Sequence, residues 1–525
     1  MTGYFSSGEF MRRFKAVTIV AALLVTLFPS VAHGEADRVS FFAPTLQTDG
    51  KDRIFSVGGN LGFGFSQLGH WPDMLCKSTQ DPKCDFTRTS FTNGGPGITA
   101  GAMLELCTPD SNDDCIESLE ISHDGTNYQR LTFERFMPDK FLVSADGNTY
   151  PADPSMNLPH GGSPSIWTET VDGKISDLKY LFYYKYEMGY NRITNRFDLW
   201  KVSLAATPFK EKSGFDWASL WASDTQSGIQ YDFHADTSLR ATVHMSKDPS
   251  GWFKARMKDM DVQISPFDAK NNRLVVTGSA VSTPNFAVVR RAENLVPKEA
   301  DLAAHFGYSK GAVMADPSQP EIFDYVNYWR DYLKDIASEV TTSWSIESTT
   351  WSSDNKCLRD STRVLGIVAT NAMGYDGTAP AFIDGFLNYK VTGFHFAADG
   401  KTPNLGTYDL VMRSDAARCL YGFSNAPVSA TVSITGADGT QNVATTVVNE
   451  KDGWLKMKAA GFTFSEKNIK VKIAQEKTEV AAPREEPKAV APVVAAKVTI
   501  TCVKGKISKK VTAAKPLCPA GYKKR

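Results

Sequence analysis

The stretch Lys467-Asn-Ile-Lys-Val-Lys-Ile473 alternates polar and apolar side chains, which is the period of a β-strand with one buried face. Short β-branched runs recur at 274–279, 364–369 and 430–435. Between such runs the chain has Asp-Gly pairs, which favour the positive φ angles of hairpin turns. These pairs are at 124–125, 146–147, 172–173, 399–400, 438–439 and 452–453. Strands do not alternate with long helices, so we predict a mainly β fold of antiparallel sheets in sandwich-like domains.

One amphipathic helix is predicted within this β pattern, at residues 319–337. Ser318 and Glu321 have the spacing of a capping box, and Pro320 is tolerated in the first turn of a helix. Apolar residues then form one stripe along the helix. They are Ile322, Tyr325, Val326, Trp329, Tyr332, Leu333 and Ile336. We predict that the stripe packs against a sheet rather than binding a ligand.

The predicted chain has five parts. Residues 1–34 form a signal peptide, and 35–250 and 251–473 form two β-rich domains, the second of which contains the helix. Residues 474–496 are rich in Ala, Val, Pro, Glu and Lys and contain no aromatic residue, which is typical of a flexible, extended linker. Residues 497–525 form a small basic tail closed by a disulfide.

The N-terminus has the pattern of a secretory signal peptide. Three basic residues within 12–15 precede an apolar run at 16–28, and Pro29 ends the run. This run is shorter than the roughly 20 residues that a membrane span needs. An uncleaved N-terminal anchor is the alternative interpretation. No other apolar stretch approaches that length, so we predict a secreted or cell-surface protein with no transmembrane helix in the mature chain.

The eight cysteines of an exported chain are expected to form disulfides. Their spacing predicts Cys76–Cys84 and Cys107–Cys115, each enclosing seven residues, the tail pair Cys502–Cys518 and, by elimination, Cys357–Cys419. Zinc binding is the competing interpretation. It is weakened because no Cys-x-x-Cys pair occurs and the eight histidines lie far apart in the sequence.

The composition limits the class of protein. With 42% hydrophobic and 22% charged residues, the chain is neither disordered nor collagen-like. Its 58 basic and 58 acidic residues cancel, which argues against a chain-wide nucleic-acid binder. The charge is nevertheless segregated. Residues 497–525 hold nine basic and no acidic residues, so the 49 basic residues before them face 58 acidic ones, a net charge of −9.

The tail carries the pattern Thr501-Cys-Val-Lys-Gly-Lys, then Lys509-Lys-Val-Thr-Ala, then Lys515-Pro-x-Cys-Pro-x-Gly-Tyr-Lys-Lys. This pattern resembles a terminal element of secreted proteins from actinobacteria, most of which are uncharacterised. Cys115-Ile-Glu-Ser-Leu-Glu-Ile and several segments between Gly406 and Ser465 are similar to the bodies of the same group. The resemblance implies an exported location and a terminal module, and it implies no activity.

The clustered cations of the tail predict retention at an anionic surface, because an anionic polymer would displace their counterions. Wall-linked anionic glycopolymers, phospholipid head groups and extracellular DNA are the candidate partners. A solvated basic end without a partner is the alternative. The predicted envelope-binding residues are Lys504, Lys506, Lys509, Lys510, Lys515, Lys523, Lys524 and Arg525.

Motifs for catalysis and metal binding are sparse. The sequence has no Gly-x-Ser-x-Gly, His-Glu-x-x-His or P-loop motif, and the glycine-rich stretch 58–64 precedes no helical pattern. Cys115 and Ile121 stand where an EF-hand loop starting at Asp110 needs Gly and Glu. We predict no cofactor, with an irregular calcium site as the alternative. Its candidate ligands are Asp110, Asn112, Asp113 and Asp114.

The stretch 216–236 concentrates tryptophans, acids and a histidine, which suits sugar stacking and hydrolysis by paired carboxylates. The same composition arises where a sheet face meets its loops, and this structural interpretation is the one we favour. The candidate carbohydrate-binding residues are Trp217, Trp221, Asp224 and Asp232. The leading hypothesis is therefore a non-catalytic binding or adhesion protein retained at the cell wall by its tail. The alternative is an extracellular polysaccharide-active enzyme or carbohydrate-binding protein.

Overall fold

The computed structural model describes most of the chain from residue 39 onward. The described residues are 39–40, 52–57, 66–70, 74–87, 97–108, 114–137, 149–210, 229–246, 251–268, 271–291, 312–348, 355–358, 364–423, 428–436, 441–442, 445–464, 467–475 and 497–525. The predicted signal peptide, the glycine-rich stretch 58–64 and nearly all of the predicted linker lie outside them.

The described residues form 33 strands and two α-helices. The first strands are β1 (Val39–Ser40), β2 (Asp52–Val57), β3 (Gln67–His70), β4 (Met74–Leu75), β5 (Thr99–Met103), β6 (Cys115–Ser122), β7 (Gln129–Arg130), β8 (Thr132–Phe136), β9 (Ser165–Val171), β10 (Lys174–Asn191), β11 (Arg196–Lys210), β12 (Ile229–Tyr231), β13 (Ser238–Met245), β14 (Gly251–Arg256), β15 (Lys258–Pro266), β16 (Asn272–Ser279), β17 (Val281–Asn285) and β18 (Ala287–Arg291). The remaining elements are β19 (Ala312–Ala315), α1 (Glu321–Leu333), β20 (Glu339–Ser348), β21 (Val364–Thr370), β22 (Gly374–Tyr375), β23 (Ala381–Ile383), β24 (Phe386–Thr392), β25 (Leu405–Arg413), α2 (Ser414–Tyr421), β26 (Val428–Gly436), β27 (Gln441–Asn442), β28 (Thr445–Lys451), β29 (Trp454–Thr463), β30 (Lys467–Gln475), β31 (Val498–Lys504), β32 (Ile507–Ala513) and β33 (Lys523–Lys524).

The chain divides into two compact units, residues 1–475 and 476–525. The domain boundary predicted at residue 250 does not coincide with the division between these units. Strand β14, which begins at Gly251, pairs with β20, and β20 pairs with β11 from the first predicted domain. One sheet thus runs across residue 250, because hydrogen bonding between strands does not follow the sequence pattern on which the boundary was based. The second unit contains the predicted linker and tail.

Most of the first unit is a β-sandwich. Its largest sheet has the order β28-β29-β25-β21-β14-β20-β11-β10-β5-β3-β4, and a five-stranded sheet has the order β15-β16-β13-β6-β7. Alternate residues of the two sheets meet in one core, as Leu204 and Trp344 do with Leu119 and Val243. The pairing is mainly antiparallel, with β14 parallel to β21 and β2 parallel to β19. The predicted fold class is confirmed.

A second core covers the other face of β21, β25 and β29. The covering sheet has the order β22-β24-β30-β26-β27, with β23 paired to β24. Ile469, Val471 and Ile473 of β30 are buried in this core, with Leu410 and Met457 of the large sheet. The alternating stretch 467–473 is therefore a strand with one buried face, as predicted.

The predicted helix is α1, which is shorter than expected at both ends. Ile322, Tyr325, Val326 and Trp329 are buried, and they pack with Phe286, which lies between β17 and β18. The predicted capping box was wrong. Pro320 occupies the N-cap position, with no capping hydrogen bond from a side chain. Instead, the Ser318 hydroxyl donates a hydrogen bond to Asp316. The short helix α2 was not predicted.

Two of the predicted Asp-Gly turns join adjacent strands directly. Asp172-Gly173 connects β9 to β10, and Asp452-Gly453 connects β28 to β29. In each pair both residues have positive φ, 50° and 74° in the first and 53° and 78° in the second. This is the backbone of a type I′ hairpin turn. The pairs at 146–147 and 438–439 lie outside the described residues.

All four predicted disulfides are formed: Cys76–Cys84, Cys107–Cys115, Cys357–Cys419 and Cys502–Cys518. The long-range pair joins α2 to the short turn that precedes β21. In the described part of the chain, neither helix is long and apolar enough to cross a membrane.

Candidate functional site

The basic tail is a three-stranded antiparallel sheet with β31 between β32 and β33. A turn containing Gly505, with φ 59°, joins β31 to β32. Within residues 497–525 the buried side chains are Cys502 and Ile500, so the apolar core is very small. The disulfide to Cys518 closes a loop with a sequence separation of 16. A loop of that length contributes about 3 kcal/mol in the chain-entropy model, which is a large share of the stability of so small a module.

The cations of the tail cover both faces of its sheet. All nine basic side chains between Lys497 and Arg525 are exposed. Lys509 and Lys524 lie opposite Cys502 on the two flanking strands, so they share its face of the sheet. Their neighbours Lys510 and Lys523 point to the other face, because successive side chains of a strand alternate.

Two contacts hold lysines of this module in place. The Lys509 ammonium lies 5.8 Å from the centroid of the Tyr522 ring. Lys504 lies over Gly521, where an added Cβ atom would come within 3.2 Å of the lysine Nζ. No acidic side chain occurs in residues 497–525 to neutralise the nine charges. Such a module can bind a polyanion without a defined orientation, and salt should weaken that binding.

Of the four predicted carbohydrate-binding residues, Asp232 is the one that the structure describes. Trp217, Trp221 and Asp224 lie outside the described residues. Asp232 is half-buried, and its Oδ1 accepts hydrogen bonds from the backbone N–H of Thr342 at 3.2 Å and from the Thr342 hydroxyl at 3.0 Å. Asp232 therefore ties the segment after β12 to β20, and this contact supports the structural interpretation of the residue.

A histidine–carboxylate pair that the sequence analysis did not predict lies next to the segment after β12. The imidazole of His123 donates a hydrogen bond of 2.8 Å to the buried carboxylate of Glu169, and this bond raises the pKa of His123. The ring of His234 lies 6.4 Å from that of His123. A half-exposed imidazole on a buried carboxylate can exchange protons with a ligand. His123 and Glu169 are 46 residues apart, so no local motif could have revealed the pair.

The proposed calcium ligands are also mostly outside the described residues, since only Asp114 of the four is described. Its carboxylate accepts hydrogen bonds from the backbone N–H and from the hydroxyl of Ser246, the latter at 2.8 Å. Asp114 thus joins the start of β6 to the end of β13, which is a structural role.

A row of polar side chains crosses the large sheet on the face opposite the sandwich core. Lys185 lies opposite Ser203, Ser203 opposite Glu347, and Glu347 opposite Lys254. The Glu347 carboxylate contacts the ammonium of Lys254 at 2.7 Å and that of Lys201 at 2.5 Å. These charges compensate one another within a largely buried network, so the row stabilises the sheet and offers no unpaired group for chemistry.

Comparison with protein-family models, curated proteins and solved structures gives no significant match. The resemblance of the tail to secreted actinobacterial proteins accordingly stays a prediction.

Proposed function

We propose that the protein is exported and held at an anionic cell envelope by its basic tail, while the β-rich body acts in non-catalytic binding or adhesion. One observation carries this proposal. The tail is a disulfide-closed sheet on which all nine cations are exposed, with no acidic residue nearby in the sequence. Long-range attraction to a polyanion follows from such an arrangement.

Two further observations support the proposal. The residues before the tail carry a net charge of −9, so polymers that attract the tail should repel the body. The tail also belongs to a different compact unit from residues 1–475. Four disulfides, with no free cysteine among the described residues, are typical of proteins in oxidising compartments and support export.

Truncation after Gln475 is expected to release the protein from the envelope into the medium. The full chain should bind the envelope at about 0.1 M salt and leave it at about 1 M, because the Debye length shrinks from about 10 Å to about 3 Å. The truncated body should unfold at an unchanged temperature, since residues 1–475 are a separate compact unit. Cell fractionation and circular dichroism measure the two effects.

Two variants that lose the same number of positive charges distinguish binding by the tail from an effect of the overall charge. Replacing Lys504, Lys506, Lys509 and Lys510 with glutamine should cause partial release. The same change at the exposed body lysines Lys77, Lys83, Lys174 and Lys401 should cause none. Binding to dextran sulfate and to vesicles of anionic phospholipid distinguishes a polymer from a lipid surface. The proposal is refuted if the truncated protein stays with the envelope in 1 M salt.

Carbohydrate binding or cleavage is the second candidate function. It is favoured by the pair of half-exposed His123 and buried Glu169, which lies beside His234 in the predicted 216–236 region. Under the leading proposal, a reducing-sugar assay run in parallel with a glycan array should detect no turnover of any polysaccharide. Turnover that is lost in Glu169→Gln or Asp224→Asn, and kept in the surface variant Asp452→Asn, would instead establish the enzyme.

A further inference from the structure

Among the described residues, the disulfide Cys107–Cys115 differs from the other three in forming a close cluster with a histidine. Cys115 is buried, whereas Cys107 is half-buried. The backbone N–H of Cys107 donates a hydrogen bond of 3.0 Å to the carbonyl of Ile116, which fixes Cys107 beside β6. Among the described residues, this is the one disulfide that has a histidine nitrogen or a carboxylate oxygen close to both sulfurs. The two sulfurs and the third atom all lie within 4.8 Å of one another. The third member of that cluster is His244.

His244 reaches the disulfide from the neighbouring strand. It lies directly opposite Cys115 in the pairing of β13 with β6, and opposite Arg273 in the pairing of β13 with β16. Its Nδ1 lies 3.7 Å from the Sγ of Cys107. The ring is almost fully buried, and Phe267 covers it with a centroid separation of 3.9 Å. The imidazole is thus held in place against the more accessible sulfur.

The other ring nitrogen determines the tautomer of the neutral His244 ring. Its Nε2 lies 2.9 Å from the carboxylate of Glu117, which is also bound by both arms of the Arg273 guanidinium at 2.6 and 2.7 Å. Chiefly through Arg273, these contacts lower the pKa of Glu117, so the carboxylate is ionised and can only accept. Nε2 must therefore carry the hydrogen, and in the neutral ring Nδ1 presents its lone pair to the sulfur of Cys107.

We propose that Cys107–Cys115 is a thiol–disulfide exchange site in which His244 holds the proton of the reduced Cys107. A disulfide sulfur has no proton to share with Nδ1, whereas a reduced cysteine does. Transfer of that proton gives a thiolate beside an imidazolium, which Glu117 stabilises from the far side of the ring. Because this pair exists only in the reduced protein, it favours reduction of this disulfide over the others.

Reduction of the disulfide consumes two molecules of an external thiol. The thiolate of the first attacks Cys107, the more accessible sulfur, forming a mixed disulfide, and Cys115 leaves as a thiolate. The thiolate of the second attacks the external sulfur of the mixed disulfide, and Cys107 leaves as a thiolate. The two external thiols are oxidised to their disulfide and the two cysteines are reduced. Of the two protons released, one goes to Cys115 and the other to Nδ1 of His244.

The full chain should be equilibrated in glutathione buffers of graded redox ratio at pH 7, then alkylated and analysed by peptide mass spectrometry. We expect Cys107–Cys115 to be half-reduced at a glutathione redox ratio at least tenfold more oxidising than the ratio that half-reduces each of the other three disulfides. Those three disulfides serve as internal controls. His244→Gln keeps a donor for Glu117 but cannot take up the proton. It should shift the midpoint about tenfold toward more reducing ratios, which corresponds to about 30 mV for two electrons.

Glu120→Gln is the matched control, because Glu120 lies on the same sheet and pairs with Arg240 rather than with the histidine. This variant should leave the midpoint unchanged. If Cys107–Cys115 is reduced together with the other disulfides in the unmodified protein, the proposal is overturned, whether or not His244→Gln folds. It is also overturned if a folded His244→Gln variant keeps the wild-type midpoint. The exchange site does not depend on retention by the tail, so either proposal can fail alone.

Discussion

Replacing Glu347 with glutamine is expected to lower the free energy of unfolding by about 3 to 5 kcal/mol, as for other buried ion pairs that lose one partner. Its side chain is 19% exposed and is bound by Lys201 and Lys254. Burial alone would raise the pKa of Glu347, but the two lysines lower it below the ordinary value. Glutamine removes the negative charge that both largely buried ammonium groups contact, and Glu187 is left to compensate Lys201 in part. Urea unfolding at pH 7 measures the loss.

An exposed ion pair provides the control for this variant. Asp452 lies 3.9 Å from Lys451, and both side chains are more than 70% exposed. Asn tolerates the positive φ of Asp452, so Asp452→Asn should change the stability by less than about 0.5 kcal/mol. An equal, small effect of the two substitutions would show that the polar row does not stabilise the sheet.

Asp409→Asn should gain about 3 kcal/mol of stability relative to the wild type between pH 4 and pH 8. Burial raises the pKa of Asp409 from 3.8 to about 6, although Lys458 opposes the shift. Ionisation of this carboxyl is therefore more costly in the folded state than in the unfolded chain. The wild type loses stability as the pH rises from about 4 to about 6, and the asparagine does not. A shift of about two pKa units corresponds to about 3 kcal/mol.

The free energy of unfolding in urea should be measured for the variant and the wild type at each pH. The titrations of other groups cancel in the difference between the two proteins. Any constant effect of packing the amide cancels between pH values as well. Asp399 supplies a control of opposite sign, because hydrogen bonds from Thr402 lower its pKa to about 2. Asp399→Asn should lose stability relative to the wild type as the pH rises from about 2 to about 4, between the folded and unfolded pKa of this carboxyl. A difference in the free energy of unfolding between Asp409→Asn and the wild type that does not change with pH would contradict the raised pKa of Asp409.

Local patterns in the sequence predicted the local features of the fold. The alternation at 467–473, the Asp-Gly turns at 172–173 and 452–453 and the three short cysteine spacings each depend on residues close in sequence, and the structure confirms them. The helix α2 was missed because it has only eight residues, of which Ser414, Ala416 and Ala417 are the buried ones, too few for a clear apolar stripe. The capping box failed because α1 begins at Glu321 with Pro320 as its N-cap, so Ser318 lies two residues before the N-cap position.

The groups with chemical interest are assembled from distant parts of the chain. His244 is 137 residues from Cys107, and Arg273 is 156 residues from Glu117. Such contacts depend on strand order and register, which no short motif encodes. The tail is the exception, because its nine cations are close in sequence as well as in space.

The position of β14 in the large sheet has a consequence for folding. This strand lies between β20 and β21, so its hydrogen bonds require chain that is synthesised about 100 residues later. The sheet then continues through β25 to β29, which ends at Thr463. Pairings between segments this far apart fold slowly, because loop closure must precede the contacts that offset its entropy. If the chain is exported as we propose, β14 stays without these two partners until about 100 further residues have crossed the membrane.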